Sequence, residues 1–175
     1  MENKASWVLD PSHSELTFKV KHMMISNVKG EFKNFNVHIN GQDLLTAGIT
    51  AKIKTASVDT NSNDRDNHLK SADFFDAEKY PEMIFESTSF KQKDDDEYEL
   101  KGKLTIKNIT KEIKLEVEFG GIGKDPWGNE KAGFSVSGKI NRKDWELNWN
   151  AALETGGVLV SDEVKINADL QFVKQ

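Results

Sequence analysis

The chain is dominated by an alternation of apolar and polar residues with a period of two. From position 15 to 22, Leu16, Phe18, Val20 and His22 share one face, and the residues between them are polar. A strand with one dry face and one wet face produces this pattern. The alternation recurs in seven further segments: Phe35–Ile39, Ala47–Ile53, Met83–Phe85, Tyr98–Ile106, Ile113–Phe119, Phe134–Ile140 and Val164–Phe172. We therefore predict about eight or nine half-buried strands.

The strands are predicted to be antiparallel. Parallel strands covered by helices on both faces would read as unbroken apolar runs, which are absent here. The short polar connectors Asn40–Asp43 and Lys107–Lys111 are typical of hairpin loops. Gly102 and Gly138 interrupt strand patterns, where glycine often marks the bend that a closing barrel requires. The prediction is an all-β barrel formed by residues 1–175 as one domain.

One helical insertion interrupts the strands. Asn61–Asp64 offers N-cap residues for a short helix over Arg65–Ser71, and Pro81 disfavours helix at the residue before it. Its apolar side chains are expected to cap one end of the barrel: Leu69, Phe74, Phe75 and Tyr80. Two other segments are predicted as loops, the glycine-rich Gly120–Asn129 and a flap or entry loop over Trp145–Gly157.

Composition narrows the classes of function. The net charge is −5 and no basic stripe stands out, so the sequence gives no electrostatic case for nucleic-acid binding. The acidic balance also disfavours docking on anionic membranes, although it leaves room for a local basic rim. There are no cysteines, which excludes disulfides, cysteine-based zinc sites and thiol nucleophiles.

The sequence shows no targeting or membrane-spanning segment. The stretch Met1–Trp7 has no apolar core of a signal peptide, and no later stretch approaches the roughly 20 apolar residues needed to cross a bilayer. We therefore expect a cytoplasmic protein without an integral membrane segment.

The interior of the barrel has two interpretations. A closed sheet of eight strands is either just filled by side chains or holds one small ligand. The predicted inward set mixes large and small residues: Phe18, Phe85, Phe119, Phe134 and Phe172 with Ala47, Ala51, Gly102, Gly138 and Ala168. Such a mixture fits an interlocked solid core and an open apolar tunnel equally well.

Several motifs resemble the YceI-like family. The opening Trp7–Ser14 resembles the family's Trp-x-x-Asp strand followed by His-Ser, and the longest match is Asn63–Asp76, which resembles Arg-Asp-x-His-Leu-x-Ser-x-Asp-Phe-Phe. Further matches follow in family order: Phe18–His22, Val28–Phe32, Tyr80–Pro81, Gly102–Ile106 and Asn141–Trp145. The resemblance runs from Trp7 to Phe172. It implies an extended, eight-stranded, lipocalin-like antiparallel barrel whose hydrophobic tunnel binds a polyisoprenoid or similar amphiphilic lipid.

That resemblance, combined with the inward pattern, gives a set of expected lipid-binding residues: Phe18, Val20, His22, Ala51, Ile53, Arg65, His68, Leu69, Phe74, Phe75, Phe85, Leu104, Phe134, Val136 and Trp145. Arg65 is the natural donor to an anionic head group because its planar fork makes paired, charge-assisted bonds. We expect no cofactor, and homodimerisation is an expectation at the level of the family.

Structural roles compete with chemical ones at the polar candidates. Arg65 and Asp66 are expected to pin the insertion through ion pairs and backbone caps, and a lone inward His22 is more often structural than a ligand. His13 and Ser14 point to opposite faces of a strand entry, so they are not expected to form a catalytic pair. The four histidines show no metal-binding spacing, and Lys93–Glu97 lacks a calcium-loop pattern.

Two other functions stay open. An enzyme could use His22 or His68 as a general base on a small apolar substrate. A filled barrel could instead bind a protein partner through its surface. The sequence favours a lipid binder over both because of the family resemblance.

Overall fold

The computed structural model describes residues 6–150 and 159–175. Within those ranges it contains eleven strands, one α-helix and three short 3-10 helices at Pro11–His13, Thr55–Ser57 and Arg142–Trp145. The helix α1 spans Asn63–Lys70. The strands are β1 (Trp7–Leu9), β2 (Glu15–His22), β3 (Ser26–Phe32), β4 (Phe35–Asn40), β5 (Gly48–Lys54), β6 (Val58–Asp59), β7 (Glu82–Gln92), β8 (Glu97–Ile106), β9 (Ile109–Lys124), β10 (Glu130–Asn141) and β11 (Val160–Lys174).

The eleven strands occupy eight positions of a closed antiparallel barrel. β1 and β2 continue one another across a 3-10 turn, as do β5 and β6, and a two-residue bend separates β3 from β4. Each position pairs with its neighbours in the sequence. β11 closes the ring, because Ile166 pairs with Phe18 of β2 and Phe172 pairs with Leu9 of β1. The predicted eight-stranded antiparallel barrel is confirmed.

The up-and-down order places alternate connections at opposite ends of the barrel. We call the helical end the one that carries the β2–β3 turn, the β6–β7 insertion with α1, the β8–β9 turn and the β10–β11 connection. The other, terminal end carries β1 and the end of β11, together with the loops after β4, β7 and β9.

The helix begins two residues earlier than predicted. Ser62 is its N-cap, and its Oγ accepts a hydrogen bond from Arg65 N at 3.4 Å. Asp64 and Asp66 in the first turn also favour this start, since acidic side chains stabilise the N-terminus of a helix. The β8–β9 hairpin is tighter than predicted. Its turn is Lys107–Asn108, both at positive φ, which matches the twist of the flanking strands.

The prediction of a loop over Gly120–Asn129 is wrong for its first half. β9 runs on to Lys124, and Gly121 pairs with Gly133 of β10. A register shift beside Gly133 absorbs the glycines as a bulge without ending the strand. Only the tip is a turn, where Asp125 Oδ1 accepts hydrogen bonds from Trp127 N and Asn129 N at 2.9 Å each.

The predicted flap over Trp145–Gly157 is also corrected at its start. Trp145 ends a 3-10 helix and is only 1% exposed, because its indole Nε1 donates to Leu104 O at 2.9 Å and the ring packs in the core. Leu147 is buried as well. The part of the predicted flap after Asn150, with Ala151, Ala152 and Leu153, lies outside the described residues.

Three glycines of the barrel wall give space to large inward side chains. The pairs are Gly30 with Phe18, Gly102 with Phe85, and Gly138 with Leu115. A Cβ on Gly102 would lie 2.6 Å from Phe85 Cε2 and 2.5 Å from Glu86 O, which is closer than a real Cβ approaches. The Phe85 ring therefore lies over the backbone of the next strand instead of crossing the barrel.

This packing predicts that Gly102→Ala destabilises the barrel. The added methyl overlaps a buried ring and a backbone oxygen, so we expect the free energy of unfolding to fall by about 1–3 kcal/mol. Urea denaturation measures it. Gly123→Ala is the matched control, since that strand glycine has no atom within 4 Å of the added Cβ. An equal effect of the two substitutions would refute the packing argument.

Candidate functional site

The barrel encloses an apolar cavity of about 550 Å³. Alternate residues of the strands point inward and form its wall, as the period-two pattern predicts. The lining includes Val28, Phe32, Val37, Ile39, Ile49, Met83, Phe90, Leu100, Ile106, Ile113, Val117, Ile140, Val164, Ile166, Ala168, Leu170 and Phe172. Of the two interpretations of the interior, the structure has the open one. A cavity of this size falls in the range of small-molecule sites.

Nearly all the residues expected from the sequence line this cavity. They are Phe18, Val20, His22, Ala51, Ile53, Arg65, His68, Leu69, Phe74, Phe75, Phe85, Leu104, Phe134 and Val136. Trp145 does not, and its placement as a cavity residue is wrong because its ring is held in the core by Leu104 O. Sequence reasoning could not separate Trp145 from Trp149, which lies four residues later and does line the cavity.

The charged and imidazole side chains of the lining lie at the helical end. Lys21 and His22 end β2, Asp64, Arg65 and His68 lie on α1, and Arg142 follows β10. At the terminal end, by contrast, the lining consists of apolar side chains such as Phe35 and Ile39 of β4, and the buried Leu44 lies in the loop beyond them. The cavity thus has an apolar floor and a polar rim.

Arg65 and Asp66 fasten the insertion to Thr60, the residue that follows β6. Asp66 is buried, and its Oδ1 accepts hydrogen bonds from Thr60 N at 2.7 Å and Thr60 Oγ1 at 2.6 Å. Arg65 Nε donates to Thr60 Oγ1 at 2.8 Å and Arg65 Nη2 donates to Thr60 O at 2.7 Å. The expected pinning role is confirmed. The bonds are, however, to Thr60, and within the described ranges neither side chain has an ion pair.

His68 organises an aromatic cluster at the rim. Its Nε2 lies 2.8 Å from Asp73 Oδ2, and its ring meets Phe74 and Trp149 edge to face, with centroids 5.1 and 4.6 Å away. Phe74 and Trp149 are themselves 5.5 Å apart. The cluster ties the insertion to the β10–β11 connection, and so brings together two segments that belong to different hairpins.

The same His68–Asp73 pair is also the kind of pair that activates a nucleophile. Among the described lining residues, however, Thr17 supplies the hydroxyl, and it donates to Asn167 O at 3.3 Å. His13 and Ser14 lie outside the lining and bond separately to Asp10, through its Oδ2 at 2.8 Å and its backbone O at 2.7 Å. No group of three or more His, Asp or Glu in residues 6–150 and 159–175 is placed to hold a metal ion.

Arg142 is the buried polar residue of the candidate site that sequence reasoning did not single out. It is 3% exposed, and its guanidinium donates to four backbone oxygens, those of Leu147, Trp149, Val160 and Ser161. Burial lowers the pKa of Arg142 from its ordinary value, and Asp162 at 4.0 Å opposes that shift. Two signals were available: Arg142 lies within the family match Asn141–Trp145, and it is one of only two arginines in the chain, both of which lie at the helical end.

In effect, Arg142 is a clasp for the β10–β11 connection. Its acceptors lie on both sides of that segment, before residue 150 and after residue 159. Arginine is suited to this position because it presents five donors in a planar fork and stays charged when buried. The rim of the cavity therefore depends on one buried cation.

The family model for the YceI-like domain matches residues 7–172. A UPF0312 protein of Staphylococcus epidermidis is 45% identical over 166 residues, covering 93% of this chain and 94% of that protein. The crystal structure of Burkholderia cenocepacia BcnA superposes with a TM-score of 0.79 at 25% identity, over 93% of this chain and 98% of that one. A domain of Saccharophagus degradans, described as polyisoprenoid-binding and implicated in plant cell wall breakdown, shares the fold with a TM-score of 0.74 at 15% identity, over 97% and 98% of the two chains.

Within the described residues, no helix is both long and apolar enough to cross a membrane.

The clasp predicts that Arg142→Met opens the rim. The substitution keeps much of the side-chain volume but leaves buried carbonyl oxygens without a hydrogen-bond donor. The free energy of unfolding should therefore fall by about 3 kcal/mol. Denaturant titration measures that loss, and hydrogen exchange should rise in the segments around residues 147–150 and 159–161. Lys143→Met, at the exposed neighbouring position, is the control. Similar behaviour of the two variants would show that Arg142 is not a clasp.

Proposed function

This chain belongs to the YceI-like family, and from that premise we propose that its barrel binds a long-chain amphiphilic lipid of the polyisoprenoid type. The tail occupies the apolar cavity and the head group lies at the polar rim. The observation that carries the proposal is the division of one cavity into an apolar floor and a polar rim at the helical end.

The tail is matched by the cavity wall. Each buried methylene contributes roughly 0.8 kcal/mol, so an apolar tail binds without any specific polar contact. A strand of about eight residues at roughly 3.3 Å per residue spans about 26 Å, and less when it is tilted. A very long isoprenoid must therefore bend inside the barrel or protrude from the rim.

The head group is matched by the cationic and imidazole side chains of the rim. Arg65 lies there with two of its three guanidinium nitrogens already bonded to Thr60. That leaves one nitrogen for an anionic head, and Lys21, His22 and His68 line the cavity at the same end, together with the carboxylate of Asp64. A phosphate is the best fit, because charge-assisted bonds from arginine to phosphate are both strong and directional.

The proposal extends to a role in carrying or storing the lipid. The Saccharophagus degradans domain, which shares the fold, is described as polyisoprenoid-binding. The bound lipid is held without chemical change, so the protein acts as a binder and not as an enzyme. The cytoplasmic location, the lack of nucleic-acid binding and the homodimer stay predictions.

The test is a titration of delipidated protein with isoprenyl phosphates of increasing tail length, followed by native mass spectrometry and calorimetry. We expect one lipid per chain and an affinity that rises on the order of tenfold per isoprene unit until the cavity is full, which is below the full burial value because ordering the tail opposes binding. Equal affinity for short and long tails would contradict the proposal.

Filling the cavity should abolish binding. Ala51→Trp places an indole in the lumen, whereas Lys52→Trp adds the same ring on the outer face of the same strand. We expect the first variant to lose at least tenfold in affinity for the longest tail and the second to bind as the parent does. Unfolding midpoints of both variants establish that they are folded. A loss of the same size in both would place the ligand outside the barrel.

A further inference from the structure

Four lysines form one continuous row on the outer wall of the barrel. The strand register places Lys139 opposite Lys165, Lys165 opposite Lys19, and Lys19 opposite Lys29. These residues alternate with inward ones such as Phe18 and Ile166, so they face outward. Directly opposed side chains have Cβ atoms roughly 5 Å apart, and like charges in that position destabilise a sheet. The repulsion within the row therefore lowers the stability of the fold.

The row is mostly unneutralised. Lys139 has Glu163 at 4.0 Å. Within residues 6–150 and 159–175, no carboxylate lies within 4.0 Å of the amino groups of Lys19, Lys29 or Lys165. Lys29 and Lys165 are also exposed to solvent. A face of this kind is available to an anionic partner.

An acidic row runs parallel to the lysine row, nearer the terminal end. The register joins Glu15 to Asp169, Asp169 to Ser135, Ser135 to Glu118 and Glu118 to Glu97. Glu15 precedes Lys19 by four residues on β2, which separates the rows by about 13 Å. On β2, β10 and β11 the lysine row therefore lies nearer the helical end than the acidic row does, although the chain as a whole carries −5.

An apolar hairpin tip stands beyond the lysine row. Met23, Met24 and Ile25, between β2 and β3, are 44%, 51% and 83% exposed. Met23 and Met24 also have φ of +54° and +63°, a region in which side chains larger than those of glycine or asparagine are disfavoured. Three exposed apolar residues in a strained turn do not stabilise the fold, and an exposed apolar patch of this kind often marks an interaction site.

The tip belongs to the rim of the cavity. Met23 N donates to Leu159 O at 2.8 Å, and Leu159 lines the cavity. His22, which directly precedes the tip, lines it too. Any surface that the tip touches is therefore next to the mouth through which a lipid would pass.

We propose that the lysine row and the hairpin tip form one docking face for an anionic lipid bilayer, and that docking brings the mouth of the cavity to the membrane surface. The inference rests on the proposed function, since it names the surface from which the amphiphile is taken or to which it is delivered. The lysines meet the anionic head groups, and the acidic row turns the terminal end away from them.

A bilayer fits this face better than other polyanions do. Met23, Met24 and Ile25 insert their side chains at the level of the lipid head groups, where apolar surface leaves water. A nucleic acid would be expected to meet aromatic stacking platforms along a cationic groove. Trp127, the most exposed tryptophan, lies instead at the terminal end of the barrel.

Flotation with vesicles tests the row. We expect the full chain to bind phosphatidylcholine vesicles only when phosphatidylglycerol is included, and to be released by salt. The triple variant Lys19→Gln, Lys29→Gln, Lys165→Gln should bind on the order of 100-fold less, at about fivefold per lysine. The control Lys52→Gln, Lys91→Gln, Lys103→Gln makes the same charge change on β5, β7 and β8, and should bind like the parent chain.

Single-cysteine labelling tests the orientation, because the chain has no cysteine of its own. A polarity-sensitive dye on Met24→Cys should shift to the blue when anionic vesicles are added, whereas the same dye on Trp127→Cys should not. A shift at the terminal end alone, or at neither position, overturns the proposal. So does equal loss of binding in the lysine-row variant and its control, or retention of the protein on nucleic acid or an acidic protein but not on vesicles.

Binding of isoprenyl phosphate in vesicle-free solution separates this inference from the proposed function. None of the three substituted lysines lines the cavity, so the lysine-row variant should bind the lipid as the parent does. A chain that binds the lipid but ignores anionic vesicles refutes docking alone. A chain that docks through its lysines but binds no lipid refutes the proposed function and leaves the docking face standing.

Discussion

Closure of the sheet is the constraint on which the rest of the molecule depends. A closed antiparallel ring has no free edge, and it forces alternate residues of every strand into one enclosed space. Because the large side chains opposite Gly30, Gly102 and Gly138 lie against the wall, that space is not filled. The same alternation that makes each strand amphipathic therefore also makes the cavity, and no separate feature of the sequence is needed to line it.

The barrel leaves one problem at its helical end, where segments cross the opening without a neighbouring strand. Their backbone N–H and C=O groups cannot be paired by the sheet, and such groups are costly when they are buried without partners. Arg142 donates to the carbonyls of the β10–β11 connection, and at the entry to α1 Arg65 donates to Thr60 O while Asp66 accepts from Thr60 N. With only two arginines among 24 basic residues, the chain uses the guanidinium group where several acceptors must be held by one side chain.

The pattern of apolar and polar residues predicted those features of the structure that depend on neighbours along the chain. Alternation identified the inward residues, including Phe18, Ala51 and Phe134, and the motif after Thr60 identified the insertion. It failed where a distant contact decides the outcome. Trp145 is held away from the cavity by Leu104 O, and β9 continues through its glycines because β10 is there to pair with it. The lysine row was invisible for the same reason: its four members are scattered from position 19 to position 165, and only the register aligns them.

The pairing of β11 has a consequence for synthesis on the ribosome. β11 holds both β10 and the β1–β2 strand, and Ser14 and Gln171, which bond across that seam, are 157 positions apart. During translation β1 to β10 are synthesised before their closing strand, and a sheet formed at that stage would have two open edges and its apolar inner face in water. The chain cannot complete the barrel until β11 is available, and this is the stage at which a chaperone has the most apolar surface to protect.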